Sequence, residues 1–136
     1  MGAVGKSRPD EAAIRALIEN WARAVRAKNF DGILAKHSND ILMFDVPPPL
    51  QSQGIDAYKK TWDLFFSSSP KPVIFDIARM DISAGEEVAF VTALMRCAVR
   101  EENGSQSDLE FRLTIGLCKI SDQWTVTHEH HSIPAG

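Results

Sequence analysis

Apolar residues in the first half of the chain recur at three- and four-residue steps, which predicts three helices. The first covers about four turns, and its apolar stripe is Ile14, Leu17, Ile18, Trp21, Ala24 and Val25. A shorter helix follows at residues 30–34, and a third opens at Gln53-Gly54 and ends at residues 67–70. Between these two, residues 41–46 predict a first strand, which three consecutive prolines terminate.

Beyond residue 72 the apolar period changes from helical to strand-like. Apolar positions 73, 75 and 77 share one face of an extended chain, whereas positions 80 and 82 share the other. This phase switch predicts a β-bulge near Ala78-Arg79. Three more strands are predicted over residues 88–100, 109–118 and 124–134. Helices followed by a meander of antiparallel strands predict an α+β domain with its helices on one face of a curved sheet.

The last predicted strand holds three of the four histidines of the chain. Side chains alternate in a strand, so His128 and His130 share a face with the apolar residues Trp124 and Val126. Antiparallel counting from a hairpin at residues 121–122 gives the pairs Leu117–Val126, Ile115–His128 and Leu113–His130. Both imidazoles are therefore expected in the interior, among leucine and isoleucine side chains.

Two inward histidines and one acid are the candidate catalytic residues: Asp45, His128 and His130. Imidazole titrates near neutrality and suits general acid/base chemistry, and a carboxylate in an apolar strand needs a partner. A structural role is open too, with the histidines hydrogen-bonded to Asp45, Trp62 or water, or with Asp45 capping the loop of Pro47–Pro49 at the end of its strand. A facial metal site formed by the same three residues is a further alternative. We predict neither a metal nor a cofactor.

An apolar wall with a few converging polar groups predicts a pocket for a hydrophobic small molecule. The residues expected to bind the substrate are Tyr58, Trp62, Trp21, Leu113 and Ile115. Tyr58 and Trp62 lie one helical turn apart, and their polar tips can reach a ligand, although such aromatic stripes are also typical of a core.

The opposite face of the last two strands is too mixed for a core and too poor in charge for an idle surface, which predicts a homodimer through this face. The residues expected there are Arg112, Thr114, Thr127, Glu129 and His131.

Length and charge exclude several classes of protein. The 136 residues fit one domain, which we place at residues 9–136 after a frayed or disordered leader at 1–8. A net charge of −3 gives no basic footprint for nucleic acid or for a membrane surface, and no apolar run approaches the ~20 residues of a membrane span. The start lacks the apolar stretch of a signal peptide, and Cys97 and Cys118 lack metal-like spacing. A cytoplasmic protein is expected.

The order of elements and the run Trp124-x-Val126-x-His128-Glu-His130-His131-Ser-x-Pro134 resemble the SnoaL-like, ketosteroid-isomerase-related branch of the nuclear-transport-factor-2-like superfamily. Supporting stretches are Phe44-Asp45-Val-Pro-Pro-Pro-Leu, Tyr58-x-x-x-Trp62 and Arg112-x-Thr114. The resemblance implies a cone, in which a bent antiparallel sheet wraps around one long and two shorter helices. It also implies a dimer and a pocket at the open end.

The function implied by the resemblance is less specific than the fold. It covers cofactor-free acid/base catalysis on a hydrophobic carbonyl compound, of the isomerase, cyclase or dehydratase (lyase) type. The alternative is a non-catalytic ligand-binding domain or a dimeric association domain. The chain departs from the steroid isomerases because its first helix carries Trp21 and no tyrosine, and because the presumed inner row of residues 109–117 has no acid.

Overall fold

The computed structural model describes residues 3–68, 72–100 and 103–135, which form three helices and six strands. The helices are α1 (Ala3–Ala27), α2 (Phe30–Leu34) and α3 (Ile55–Ser68). The strands are β1 (His37–Phe44), β2 (Ser52–Gln53), β3 (Pro72–Ala84), β4 (Val88–Arg100), β5 (Gln106–Ile120) and β6 (Gln123–Ser132). No helix in these ranges is long and apolar enough to cross a membrane.

The strands form one curved, unclosed sheet in the order β2-β1-β6-β5-β4-β3. Strands β3 to β6 make the predicted antiparallel meander. Strand β1 pairs with β6 in parallel, and the short β2, which the sequence pattern does not predict, pairs with β1. The predicted α+β architecture is confirmed, and the last strand of the chain lies in the middle of the sheet.

The helices cover the concave face of the sheet and bury the predicted apolar stripes against it. In α1, Ile14, Ile18 and Val25 are fully buried, and the helix packs on β3 and α2. The backbone of α1 begins at Ala3. The boundary between a leader at 1–8 and the domain stays a prediction.

Strand β3 bears out the phase switch read from the sequence, and β4 has the inward face that the sequence left open. The register of β3 against β4 shifts between Ile77 and Arg79, which confirms the predicted bulge. Along β4 the odd-numbered residues face the core: Ala89, Val91, Ala93, Met95 and Cys97. The even-numbered residues from Val88 to Arg96 are exposed on the convex face.

A second bulge, in β6, reverses the expected orientation of the histidines. Leu117 pairs with Val126 as predicted, but Gly116 pairs with His128, so Thr127 is an extra residue in its strand. The Thr127 hydroxyl donates a hydrogen bond to the Gly116 carbonyl at 3.3 Å. One extra residue turns every later side chain to the other face. The predicted pairs of His128 and His130 are therefore wrong.

The side chains beyond the bulge follow the reversed phase. Glu129 is fully buried and His131 is nearly so, whereas His128 is half-buried and His130 is exposed. The inward polar residues of β6 are thus Glu129 and His131, the two that the alternation placed on the outer face.

Candidate functional site

A cavity of about 380 Å³ lies between α3, the end of β1 and the concave face of the sheet. Most of its lining is apolar or aromatic: Met43, Val46, Pro47, Trp62, Leu64, Phe65, Phe75, Cys97, Leu109, Phe111 and Ile133. The polar lining residues are Asp45, Thr61, Ser68 and His131. An apolar concavity with few polar groups has the make-up of a small-molecule site.

His131 is the titratable side chain where the cavity meets the core. Its ring stacks on Phe111, with centroids 5.4 Å apart and planes 14° apart, and meets the edge of Trp62 at 6.3 Å. Its Nε2 lies 3.1 Å from Glu129 Oε1. Its Nδ1 makes no hydrogen bond to any residue in the described ranges. Nδ1 is also not one of the fully buried polar atoms that lack a hydrogen-bond partner in that part of the chain.

Glu129 is the centre of a buried polar network behind His131. Its Oε2 accepts a hydrogen bond from the Tyr58 hydroxyl at 2.7 Å and lies 2.9 Å from His37 Nε2. The Tyr58 hydroxyl in turn accepts from the Trp21 indole N–H at 3.1 Å. Helices α1 and α3 and strands β1 and β6 each contribute to this network, so it fastens the helices to the sheet.

Both ring nitrogens of His37 lie within hydrogen-bond distance of an acceptor oxygen. Nδ1 of His37 lies 2.7 Å from the carbonyl oxygen of Ala35, while Nε2 faces Glu129. A carbonyl and an ionised carboxylate both only accept hydrogen bonds. A proton on each ring nitrogen lets His37 donate to both oxygens, and in that form His37 and Glu129 are a buried ion pair.

The pKa values of the two acids in the network diverge. Burial by itself raises the pKa of Glu129, but hydrogen bonds from His131 and His37 and their charges outweigh burial and lower it to about 2. Burial, followed by the negative charge of Glu129, raises the pKa of Tyr58 well above its usual 10.0. Tyr58 therefore stays protonated and donates, and Glu129 stays ionised and accepts.

The structure separates the predicted substrate-binding residues into two groups. Trp62 lines the cavity, and so does Asp45 from the predicted catalytic trio. Tyr58 and Trp21 are buried in the network, and Leu113 and Ile115 are buried in the core below the cavity lining.

Asp45 is partly exposed, and its carboxylate forms a hydrogen bond with the next residue in the chain. Its Oδ1 accepts a hydrogen bond from the Val46 amide at 2.8 Å. It contacts neither of the two histidines that the sequence offers as its partners, because both lie on the other face of the sheet.

His128 and His130 flank the ring of Phe44, with ring centroids 5.0 and 5.3 Å away. Nδ1 of His128 lies 2.7 Å from the carbonyl oxygen of Leu42. Neither histidine lines the cavity. Within the described ranges no group of three or more His, Cys, Asp and Glu side chains is arranged to hold a metal ion, so the alternative facial set is not brought together.

The predicted dimer face is partly wrong. Arg112 and Thr114 are exposed on the convex face as expected, and Thr127 is half-buried. Glu129 and His131 are buried in the core, because the bulge turns them inward.

Sequence reasoning misses three members of the site: His37, Glu129 and His131. For Glu129 and His131 a usable signal exists in Ile133, an apolar residue of their parity that also lines the cavity. Ile133 marks a phase switch in β6 of the same kind as the one that predicts the bulge in β3. For His37, no spacing in the chain indicates that it meets a residue 92 positions away.

The comparisons with known proteins place the chain in a family. The SnoaL-like domain model matches residues 14–136, so the chain belongs to the SnoaL-like family. It is 34% identical to an NTF2-like protein of unknown function from Pseudomonas putida KT2440, over 93% of this chain and 87% of that one, with a TM-score of 0.83. The resemblance read from the sequence is thereby confirmed. A search among curated protein sequences finds no significant match.

More distant structures share the fold alone. A candidate dehydratase of the NTF2-like family from Streptomyces avermitilis is 12% identical, with a TM-score of 0.81 over 94% of this chain and 99% of that one. The association domain of CaMKII from C. elegans is 15% identical, with a TM-score of 0.76 over 94% and 98%. One fold thus carries both an enzyme assignment and an assembly role.

Proposed function

We propose that the chain binds a hydrophobic small molecule in the aromatic cavity and that His131 moves a proton to or from it without a cofactor. The observation that carries this proposal is the contact between Glu129 and His131 at the cavity wall, 3.1 Å between Oε1 and Nε2. A buried carboxylate holding one nitrogen of an imidazole fixes the ring and leaves the other nitrogen for chemistry.

The roles follow from the hydrogen bonds. When His131 is neutral, its proton sits on Nε2, because Glu129 needs a donor there, and Nδ1 carries the free lone pair. Nδ1 can then take a proton next to the carbonyl of a hydrophobic substrate and return it at another atom, as isomerases, cyclases and dehydratases do. Asp45 is the second acid/base group of the cavity, and Trp62 shapes its apolar wall. His128 and His130 do not line the cavity, and the same experiment tests the catalytic role that the sequence predicts for them.

Exchange of carbon-bound protons tests this chemistry directly. Deuterium incorporation next to the carbonyl of 1-tetralone and substituted acetophenones, followed by NMR in heavy water, should be faster with the protein than without it. We expect His131→Asn to lower this rate by about 10²-fold, the lower end of general acid/base contributions. His130→Asn is the matched control, since it removes an exposed imidazole one residue away, and it should change the rate less than about twofold by the same reasoning.

Two results would contradict the catalytic proposal. An equal loss of exchange rate in His131→Asn and His130→Asn would favour the catalytic residues that the sequence predicts. Calorimetric binding of these ketones with no exchange above the buffer rate would favour a non-catalytic ligand-binding domain.

We further propose that the chain forms a homodimer through the convex face of the sheet. Large apolar side chains stand exposed there on β4, including Phe90 at 53% and Leu94 at 51% of full exposure. Thr114 and the outward His130 extend this face across β5 and β6. Large apolar side chains exposed together on one sheet face are typical of a protein–protein contact. The association domains among the structural neighbours support the same use of the fold.

Leu94→Arg should split this dimer. The protein should sediment at about twice the 15.1 kDa chain mass, and the variant at one chain mass, because a buried arginine without a partner opposes association. Leu50→Arg is the matched control, as Leu50 is 95% exposed and lies in the loop between β1 and β2. A wild-type monomer at 100 µM, or splitting by both variants, would contradict the proposed interface.

We also propose that the protein is cytoplasmic, and the free thiols of Cys97 and Cys118 support this location.

A further inference from the structure

The polar groups that line the cavity are unevenly charged. The lining includes one carboxylate, Asp45, and, among the described residues, neither a lysine nor an arginine. Asp45 accepts a hydrogen bond from the Val46 amide and forms no ion pair with any residue in the described ranges. A ligand that enters therefore meets a negative charge that no lysine or arginine at the described wall neutralises.

The remaining polar groups mostly accept hydrogen bonds. Neutral His131 presents a lone pair at Nδ1, because Glu129 occupies Nε2. The Thr61 hydroxyl already donates to the carbonyl oxygen of Tyr58 at 2.7 Å. Ser68 can donate or accept. The cavity is thus short of hydrogen-bond donors, and its charged acceptor is the carboxylate of Asp45.

The apolar part of the wall favours positive charge as well. Four aromatic rings line it: Trp62, Phe65, Phe75 and Phe111. They pack mostly edge to face, with Trp62 centred 5.5 Å from Phe65 and 6.0 Å from Phe75. Each ring with a face toward the cavity attracts a cation through its quadrupole and stacks on a planar apolar body.

We propose that the ligand of this cavity is an aromatic compound with a protonated amine, and that the cavity rejects the corresponding carboxylic acid. The aromatic body lies on the ring cluster, and the ammonium group donates to the carboxylate of Asp45. A carboxylate in the same position would face the charge of Asp45, with neither a lysine nor an arginine at the described wall to pair with. This inference rests on the proposed small-molecule site and adds the charge of its ligand.

Three probes of one shape test the charge preference: 2-(aminomethyl)naphthalene, 2-naphthalenemethanol and 2-naphthoic acid, each titrated into the protein by calorimetry at pH 7. We expect the amine to bind about tenfold more tightly than the alcohol, since a partly desolvated charge pair plus a cation–π contact contributes about that factor. We expect the acid to bind more weakly than the alcohol.

Asp45→Asn removes the charge and keeps the shape of the side chain. It should reduce the preference for the amine over the alcohol to less than about threefold, and Asp40→Asn, an exposed change elsewhere on β1, should leave the preference as it is. Acid binding as tight as amine binding, with the alcohol also bound, would overturn the charge preference and leave the small-molecule site standing. Binding of none of the three probes would overturn the site itself and the preference with it.

Discussion

Glu129→Gln lowers the free energy of unfolding by roughly 3–5 kcal/mol, the cost of removing one partner of a buried, hydrogen-bonded ion pair. Glu129 is fully buried and receives its hydrogen bonds from Tyr58, His37 and His131. A glutamine keeps the size of the side chain but offers one acceptor oxygen where three donors converge. The positive charge of His37 then stays in the core without its counter-charge.

Urea unfolding followed by tryptophan fluorescence measures this loss. Glu110→Gln is the matched control, because it makes the same chemical change at an exposed position of β5, and it should alter stability by less than about 0.5 kcal/mol. A loss below about 1 kcal/mol in Glu129→Gln would show that the buried pair is not the charged network described here.

Acid removes the same stabilisation without a mutation. The pKa of Glu129 in the folded protein is about 2, against an ordinary value of 4.5. A group with a lowered folded pKa stabilises the protein fully above its unfolded pKa and loses that contribution as the pH falls to the folded pKa. Stability should therefore drop by roughly 3 kcal/mol from this residue between pH 4.5 and pH 2.

Comparison with Glu129→Gln isolates this contribution from those of other carboxylates. Asp10 also loses stabilising interactions on protonation, because a hydrogen bond from Trp124, with the neighbouring Lys119, lowers its pKa. Urea midpoints measured from pH 5.5 to 2.5 should fall more steeply in the wild type than in Glu129→Gln. Parallel curves would mean that Glu129 titrates normally in the folded protein.

The fold was predictable because periodicity survives in most of its elements. The stripe of α1 and the alternation of β5 define which faces are buried, whatever the details of pairing, whereas the buried face of β4 was not predicted. The bulge in β3 was predictable too, because apolar residues lie on both sides of it and report the change of phase. Those signals are local, so the sequence displays them directly.

The site was harder to predict because its bulge lies between polar residues. In β6 the phase changes at Thr127, and the side chains just beyond it are imidazoles and a carboxylate, which carry no obvious inside or outside preference. Ile133 is the nearest apolar residue that reports the new phase. The partners of Glu129 are also distant in sequence, since Tyr58 lies 71 positions away, so no spacing in the chain brings them together.

The position of β6 in the sheet restricts the order in which the sheet can form. Strand β6 is the last strand in chain order, yet it joins β1 on one side to β5 on the other. Until β6 is in place, β1 with β2 and β3 with β4 and β5 can form only two separate sheet fragments, each with an open edge. The contact between His37 and Glu129 also requires β6, so we expect the sheet and its buried network to be completed together in a late step of folding.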